Sequence, residues 1–193
     1  MSSAADRTGP YPDDFYGFRD VPFHVHLGMR FERPDPEGAA VVTLPAGNSL
    51  RGPDGAQSPA AVYTVGEVAS GISVCDALAL HGAGENTTLV PLVLTRSTTF
   101  EPREDVSGAL RSRARPAGDA KAATERLRSA RKVSLAVKCE VLGEDDTPAG
   151  DISVDFYIRM MSLDLLESIA GQMVPGMAER AREVLGAARA ARA

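Results

Sequence analysis

The sequence predicts an α+β fold in which an antiparallel sheet wraps around one long central helix, with an extra helical tail at the C-terminus. Three observations predict it. A single long apolar helix signal runs from Pro59 to about Leu80. It follows two strand signals and precedes a run of β-rich segments, so one helix has a whole sheet to cover. No repeat or internal boundary divides the 193 residues, which makes one domain the simplest reading.

Met1 to Pro12 is polar and turn-rich, a disordered lead-in with no signal-peptide pattern. The folded domain is expected over residues 13–161. Asp13 to Leu27 holds a short helix broken at Pro22, where the ring removes a backbone donor. Met29 to Arg33 and Ala39 to Leu44 read as strands on either side of the turn Pro34-Asp35-Pro36-Glu37-Gly38. Pro45 to Gln57 carries Gly52, Pro53 and Gly55 after Asn48, which makes it a loop feeding the helix.

Ser58 suits the helix N-cap, because its hydroxyl can accept a free N–H of the first turn. Pro59 suits the first helical position, where no hydrogen bond is lost. Val62, Val65, Ala69, Ile72, Val74 and Leu78 then make the helix apolar on most sides, the pattern of a buried helix. Beyond it, Leu89 to Phe100 is β-rich, and Val106 to Ala114 is a further strand with Arg111, Arg113 and Arg115 alternating towards its end. Asp119 to Ala130 is helical in composition. Val133 to Leu142 and Ile152 to Met160 are the last strands, and 162–193 is a helical extension broken near Pro175-Gly176.

Composition narrows the function. At 44% hydrophobic the chain can build a core, and 24% charged residues argue against disorder. A formal net charge of −5 gives no general footprint for nucleic acid. Cys75 and Cys139 lie inside apolar elements, as buried thiols of a reducing compartment would. No uninterrupted apolar run reaches the roughly 20 residues that cross a bilayer. A cytoplasmic protein without membrane or nucleic-acid partners is expected.

The carboxylate of Glu67 stands out because it is set into the apolar helix. Burial disfavours its charged form unless it is paired or used. Ser70 at i+3 and Thr64 at i−3 could hold it or a water. The alternative is a glutamate at a subunit contact, neutralised there. His24, His26 and His81 have no metal-ligand spacing, and neither a phosphate-cradling glycine loop nor a Gly-x-Ser-x-Gly elbow is present, so no metal or cofactor is expected.

Residues Gln57 to Glu67 resemble the central helix of the hotdog-fold thioesterases, the superfamily of the 4-hydroxybenzoyl-CoA and phenylacetate-pathway enzymes. Many members open this helix with His-Gly-Gly and carry the catalytic Asp or Glu nine residues after the His. Here the same spacing separates Ser58 from Glu67, and Ser58-Pro59-Ala60 stands in place of the triplet. Val21-Pro22-Phe23 through Met29, Thr98 to Pro102, Ala130 to Val133 and Thr147 to Gly150 resemble other family segments in order.

The resemblance implies hydrolysis of an acyl thioester, on CoA or on an acyl carrier protein, by a homodimer or homotetramer. CoA would enter as part of the substrate, not as a cofactor. Glu67 would act as general base or nucleophile. The backbone N–H groups of Ala60 and Ala61 would polarise the thioester carbonyl, aided by the helix dipole. Ser58 would contact substrate or simply cap the helix, and Gln57 could donate to the acyl carbonyl.

From Arg111 to Lys132 there are eight basic residues against two acidic ones. Arginine suits phosphates, and by resemblance Arg131 and Lys132 are the candidates for CoA. The remaining arginines fit a solvated strand face equally well. The missing His-Gly-Gly leaves two further readings open. One is a non-catalytic hotdog module that binds acyl groups or only assembles. The other is a hotdog hydratase or dehydratase, which would need His24 or His26 folded against Glu67.

Overall fold

The computed structural model describes residues 21–162 apart from Arg33, Pro36 and 81–88, together with Leu165 and Ser168. The expected lead-in over 1–12, His81 and nearly all of the expected tail lie outside the described residues.

Helix α1 (Pro22–Leu27) begins at the proline that the sequence reading used to break it. Pro22 sits at the first position, where its missing N–H costs nothing. Gly28 ends the helix in the left-handed region at φ 70°, which a glycine adopts without strain. Strands β1 (Arg30–Glu32) and β2 (Ala40–Leu44) form a hairpin. Its turn is held by Asp35, whose Oδ1 accepts from the N–H groups of Glu37 and Ala39.

Helix α2 (Pro59–Leu80) matches the expected span. Strands β3 (Leu89–Pro102) and β6 (Pro148–Ser162) run longer than expected. Strand β4 (Leu110–Pro116) starts four residues late. The cause is local: the Val106 carbonyl accepts the Gln57 N–H at 2.8 Å, Ser107 bridges to Ala56, and Gly108 turns the chain at φ 85°. Helix α3 (Ala120–Ala130) is capped by Asp119, whose Oδ1 accepts the Ala122 N–H at 2.9 Å. Strand β5 (Lys132–Leu142) follows directly.

The six strands form one antiparallel sheet in the order β1-β2-β4-β5-β6-β3. Alternate residues of β5 and β6 are buried, from Val133 to Val141 and from Ile152 to Met160. Helix α2 packs on that face, against β2, β3, β4, β5 and β6. Two glycines let it lie close. A Cβ on Gly66 would come 2.3 Å from Ile152 Cδ1 and 3.1 Å from Val141 Cγ2. A Cβ on Gly150 would come 3.0 Å from Val62 Cγ1.

By length and mean hydropathy Pro59–Leu78 is apolar enough to cross a bilayer, although Glu67 and Asp76 interrupt it, and 72% of its most apolar window is buried inside the fold. Both cysteines are free, and burial pushes their thiols up to about 12.

The alternating arginines of β4 are not simply solvated. Arg113 and Arg115 converge on Asp35 at 2.6 and 3.3 Å, and both pair with Glu37. The Asp35 side chain is only 4% exposed. Burial pushes its carboxyl up, yet the Ala39 N–H and the two guanidinium groups outweigh this and bring it down to about 2.

Candidate functional site

The site is built from the start of α2. Ser58 caps the helix: its hydroxyl and its carbonyl both accept the Ala61 N–H, at 3.2 and 2.9 Å, and its carbonyl also accepts from Val62. Pro59 has no N–H. Of the two donors expected for a thioester carbonyl, Ala61 is therefore spent within the helix and fully buried. The N–H of Ala60, an exposed residue, has no acceptor among the described residues.

Gln57 is 5% exposed and locks the preceding loop. Its carbonyl oxygen accepts from Asn48 Nδ2 at 2.9 Å, and its amide nitrogen donates to the Gly108 carbonyl. That role leaves it poorly placed to meet an acyl group.

Past the exposed first turn of α2, Tyr63, Thr64 and Glu67 reach the surface on one stripe set by helical spacing, with Cys75 and Asp76 half-buried farther along. The Thr64 hydroxyl donates back to the Ala60 carbonyl at 2.6 Å. Glu67 is half-buried, and its carboxylate has no hydrogen-bond or ion-pair partner among the described residues. Burial pushes its carboxyl above the ordinary value, and the charge of His24 opposes part of that rise. Ser70 is turned away from the stripe, contrary to expectation. It is completely buried and donates to the Gly66 carbonyl at 2.8 Å, on the side of the helix that meets the sheet.

His24 is the residue that sequence reasoning left unplaced. It is 8% exposed, with its ring 6.2 Å from that of Phe31 and 6.4 Å from that of Phe23. The signal available for it was spacing: His24 and Leu27, at i and i+3, share the buried side of α1.

Arg131 and Lys132 lie elsewhere. Arg131 ends α3 in the left-handed region at φ 59°, and its carbonyl accepts from Met160. Lys132 is exposed on the outer face of β5, directly opposite Arg159 of β6. Arg159 is seven strand residues beyond Ile152, the neighbour of Gly66, which is on the order of 23 Å along the sheet. Lys132 faces away from the side of the sheet that carries α2, and both cations lie at the far end of the sheet from Gly66, so one protomer does not bring them to Glu67.

A depression of about 480 Å³ on the outer face is lined by Arg103, Arg113, Arg115, Lys138, Glu140 and Asp151 among others. Its arginines are paired with acids, and Glu67 does not line it. No group of side chains among the described residues could hold a metal ion.

No family model matches this chain, and no curated protein is similar to it in sequence. Solved structures are similar to it in fold. A Pseudomonas aeruginosa protein of unknown function, described as a probable thioesterase, superposes with a TM-score of 0.58 at 17% identity, over 74% of this chain and 89% of its own. A variant of another Pseudomonas aeruginosa thioesterase gives 0.56 at 15%, over 80% and 98%. A thioesterase from Haemophilus influenzae gives 0.52 at 14%, over 70% and 81%. The chain has the hotdog fold. At these identities the likeness fixes the fold and leaves the reaction to be argued from the site. In the hotdog frame α2 is the central helix, and α3 is an addition between β4 and β5 that packs against β5.

Proposed function

We propose that this hotdog protein hydrolyses an acyl thioester at Glu67. The observation that carries the reading is the Glu67 carboxylate itself: half-buried, held on a helix pinned at Gly66, and without a hydrogen-bond or ion-pair partner among the described residues. A structural carboxylate in that setting would be paired, because leaving it unpaired costs desolvation without return. As general base, Glu67 takes a proton from a water. The water oxygen bonds to the carbonyl carbon, and the carbonyl oxygen gains charge opposite the Ala60 N–H and the positive end of the α2 dipole. The C–S bond then breaks, and the thiolate takes up a proton.

The reading involves at least two copies of the chain if the thioester is a CoA ester. Arg131 and Lys132 lie at the far end of the sheet from their own Glu67, so a nucleotide held there would serve the Glu67 of another protomer. An acyl carrier protein could present the same thioester without that contact.

The test is Glu67→Gln on a panel of acyl-CoA esters. Loss of a general base lowers kcat by about 10²–10⁴-fold while the fold is kept. Wild-type turnover in the variant would return Glu67 to a structural role.

A second reading is favoured by one observation, the charge of His24 acting on Glu67. A histidine and a carboxylate together suit a hydratase or dehydratase. Addition of water to an enoyl-CoA, with no release of free thiol from saturated esters, would select it.

A further inference from the structure

We infer that the outer face of the sheet carries a nucleotide-binding platform in which Lys132 and Arg159 take phosphate and the ring of Tyr157 takes the base. The inference extends the placement of a nucleotide at Arg131 and Lys132, and it does not need Glu67 to be catalytic. Lys132 of β5 stands directly opposite Arg159 of β6, and Arg159 is in turn opposite Leu92 of β3. Two positions along the strands, Ser134, Tyr157 and Leu94 make the next row in the same way. Val133, Leu135, Phe156 and Ile158 are buried on the inner face, so the alternating residues Lys132, Ser134, Tyr157 and Arg159 project outward.

Like charges directly opposed on two strands destabilise a sheet unless something neutralises them. Elsewhere on this face the neutralising groups are present. Arg115 faces Lys138, and Asp35 and Glu37 pair with Arg115. Arg103, Arg111 and Arg113 are each paired with an acid as well. Lys132 and Arg159 are exposed and have no ion-pair or hydrogen-bond partner among the described residues, and the same holds for the side chain of Arg131 beside them. The nearest acid in the rows that follow is Asp155, whose carboxylate accepts the Ser97 hydroxyl at 3.1 Å. The facing cations thus lack an anion that the rest of the sheet supplies from its own side chains.

The neighbouring row says what else the anion carries. Tyr157 is half-buried between Ser134 and Leu94, and Leu94, at 48%, is the large apolar side chain that the described strands leave most exposed. An aromatic ring on an open sheet face is a surface on which a base can stack. Rows two positions apart are about 7 Å apart, the reach of a ribose between a phosphate and its base. A bare phosphate would satisfy the cations and leave the ring and Leu94 in water. A hydrocarbon would cover the ring and leave the cations unpaired. A nucleotide meets both rows.

The experiment measures binding to the full chain by calorimetry at low salt, with ATP, adenosine 3′,5′-bisphosphate and pyrophosphate as probes. Both nucleotides are expected to bind, and pyrophosphate at least about fivefold more weakly, since stacking adds to the phosphate contacts. Tyr157→Ser is expected to abolish that advantage and leave pyrophosphate unchanged, whereas Tyr157→Phe keeps it. Arg159→Gln is expected to weaken all three probes and to flatten their salt dependence. A preference for the bisphosphate identifies the nucleotide end of CoA as the ligand, and a preference for ATP identifies a free nucleotide; either keeps the platform. Failure of both nucleotides to bind overturns the inference, as does pyrophosphate binding as tightly as they do or Tyr157→Ser changing nothing. Sedimentation of the variants covers the rival occupant, a second copy of the chain: an assembly that Arg159→Gln dissociates, in a protein that binds no nucleotide, makes this face a subunit contact. Nucleotide binding without cleavage of any thioester keeps the platform and rejects hydrolysis alone; cleavage without nucleotide binding does the reverse.

Discussion

His24 and Glu67 are 43 positions apart in the chain, yet the imidazole's charge bears on the carboxylate, and among the described residues it is the one charged group that does so. The Glu67 ionisation is therefore set by two opposed effects, burial and one histidine, with burial the larger.

The first prediction is a trade of stability for charge at Glu67. Its carboxyl is raised in the folded protein above 4.5, so folding favours the protonated form. That contribution is fully present below about pH 4.5 and is lost as pH rises through the folded value. Glu67→Gln, which keeps the shape and removes the charge, should melt at a higher temperature than wild type at pH 7. The difference should shrink as the pH falls through the folded value and be gone below about pH 4.5. Thermal melts at several pH values check this, and a variant less stable than wild type at pH 7 would show that Glu67 has a stabilising partner.

At Gly66 two effects of known sign compete. Alanine is favoured over glycine inside a helix by about 1 kcal/mol. Here its methyl would lie 2.3 Å from Ile152 Cδ1 in a packed core, and overpacking costs about 1–3 kcal/mol. Gly66→Ala should be destabilising on balance. Adding Ile152→Val removes the obstructing carbon, so the double variant should recover most of the loss. Denaturant titration of the four proteins reads the coupling directly; additive losses would mean that Ile152 is not the obstacle.

Asp35 titrates in the opposite sense to Glu67. Its folded value of about 2 lies below the ordinary 3.8, so its contribution is present above pH 3.8 and is lost as pH falls through 2. Asp35→Asn should cost on the order of 1–2 kcal/mol at neutral pH, discounted because Arg113 and Arg115 are partly exposed. The variant should also show a flatter loss of stability in acid. An unchanged acid limb would place the acid sensitivity elsewhere.

At the far end of the sheet, Lys132 faces Arg159, and like charges directly opposed cost up to about 1 kcal/mol. An anion bound there would relieve this. Replacing Arg131 and Lys132 by alanine should raise KM for CoA esters with kcat nearly unchanged, and should remove the salt dependence of KM. An N-acetylcysteamine thioester, which lacks the nucleotide, should be insensitive. Equal losses on both substrates would instead indicate a defect in folding.

The central helix was legible because its signals agree: a cap at Ser58, a proline at the first turn, and apolar residues to the end. What depended on contacts between distant segments was not. Ser70 is three residues from Glu67 and four from Gly66, and only the packing of Gly66 on Ile152 decides that Ser70 faces the sheet. Val106 looked like a strand residue but is spent on the Gln57 loop. Arg113 and Arg115 alternate like surface residues, and their pairing needs the β1–β2 turn folded over them. His24 gave no local hint of Glu67, because nothing near it in sequence fixes where α1 docks.

Strand β3 forms one border of the sheet, with β6 as its single neighbour. A border strand of 14 residues is a template onto which further chains could add without limit. The register shift between Thr95 and Ser97 interrupts it. On one side of the shift odd-numbered positions turn their amides outward, and on the other side even-numbered ones do, or the reverse. A straight incoming strand can therefore match 89–95 or 97–102, but not both. One irregular residue, Arg96, thus limits a straight partner strand to half of this border.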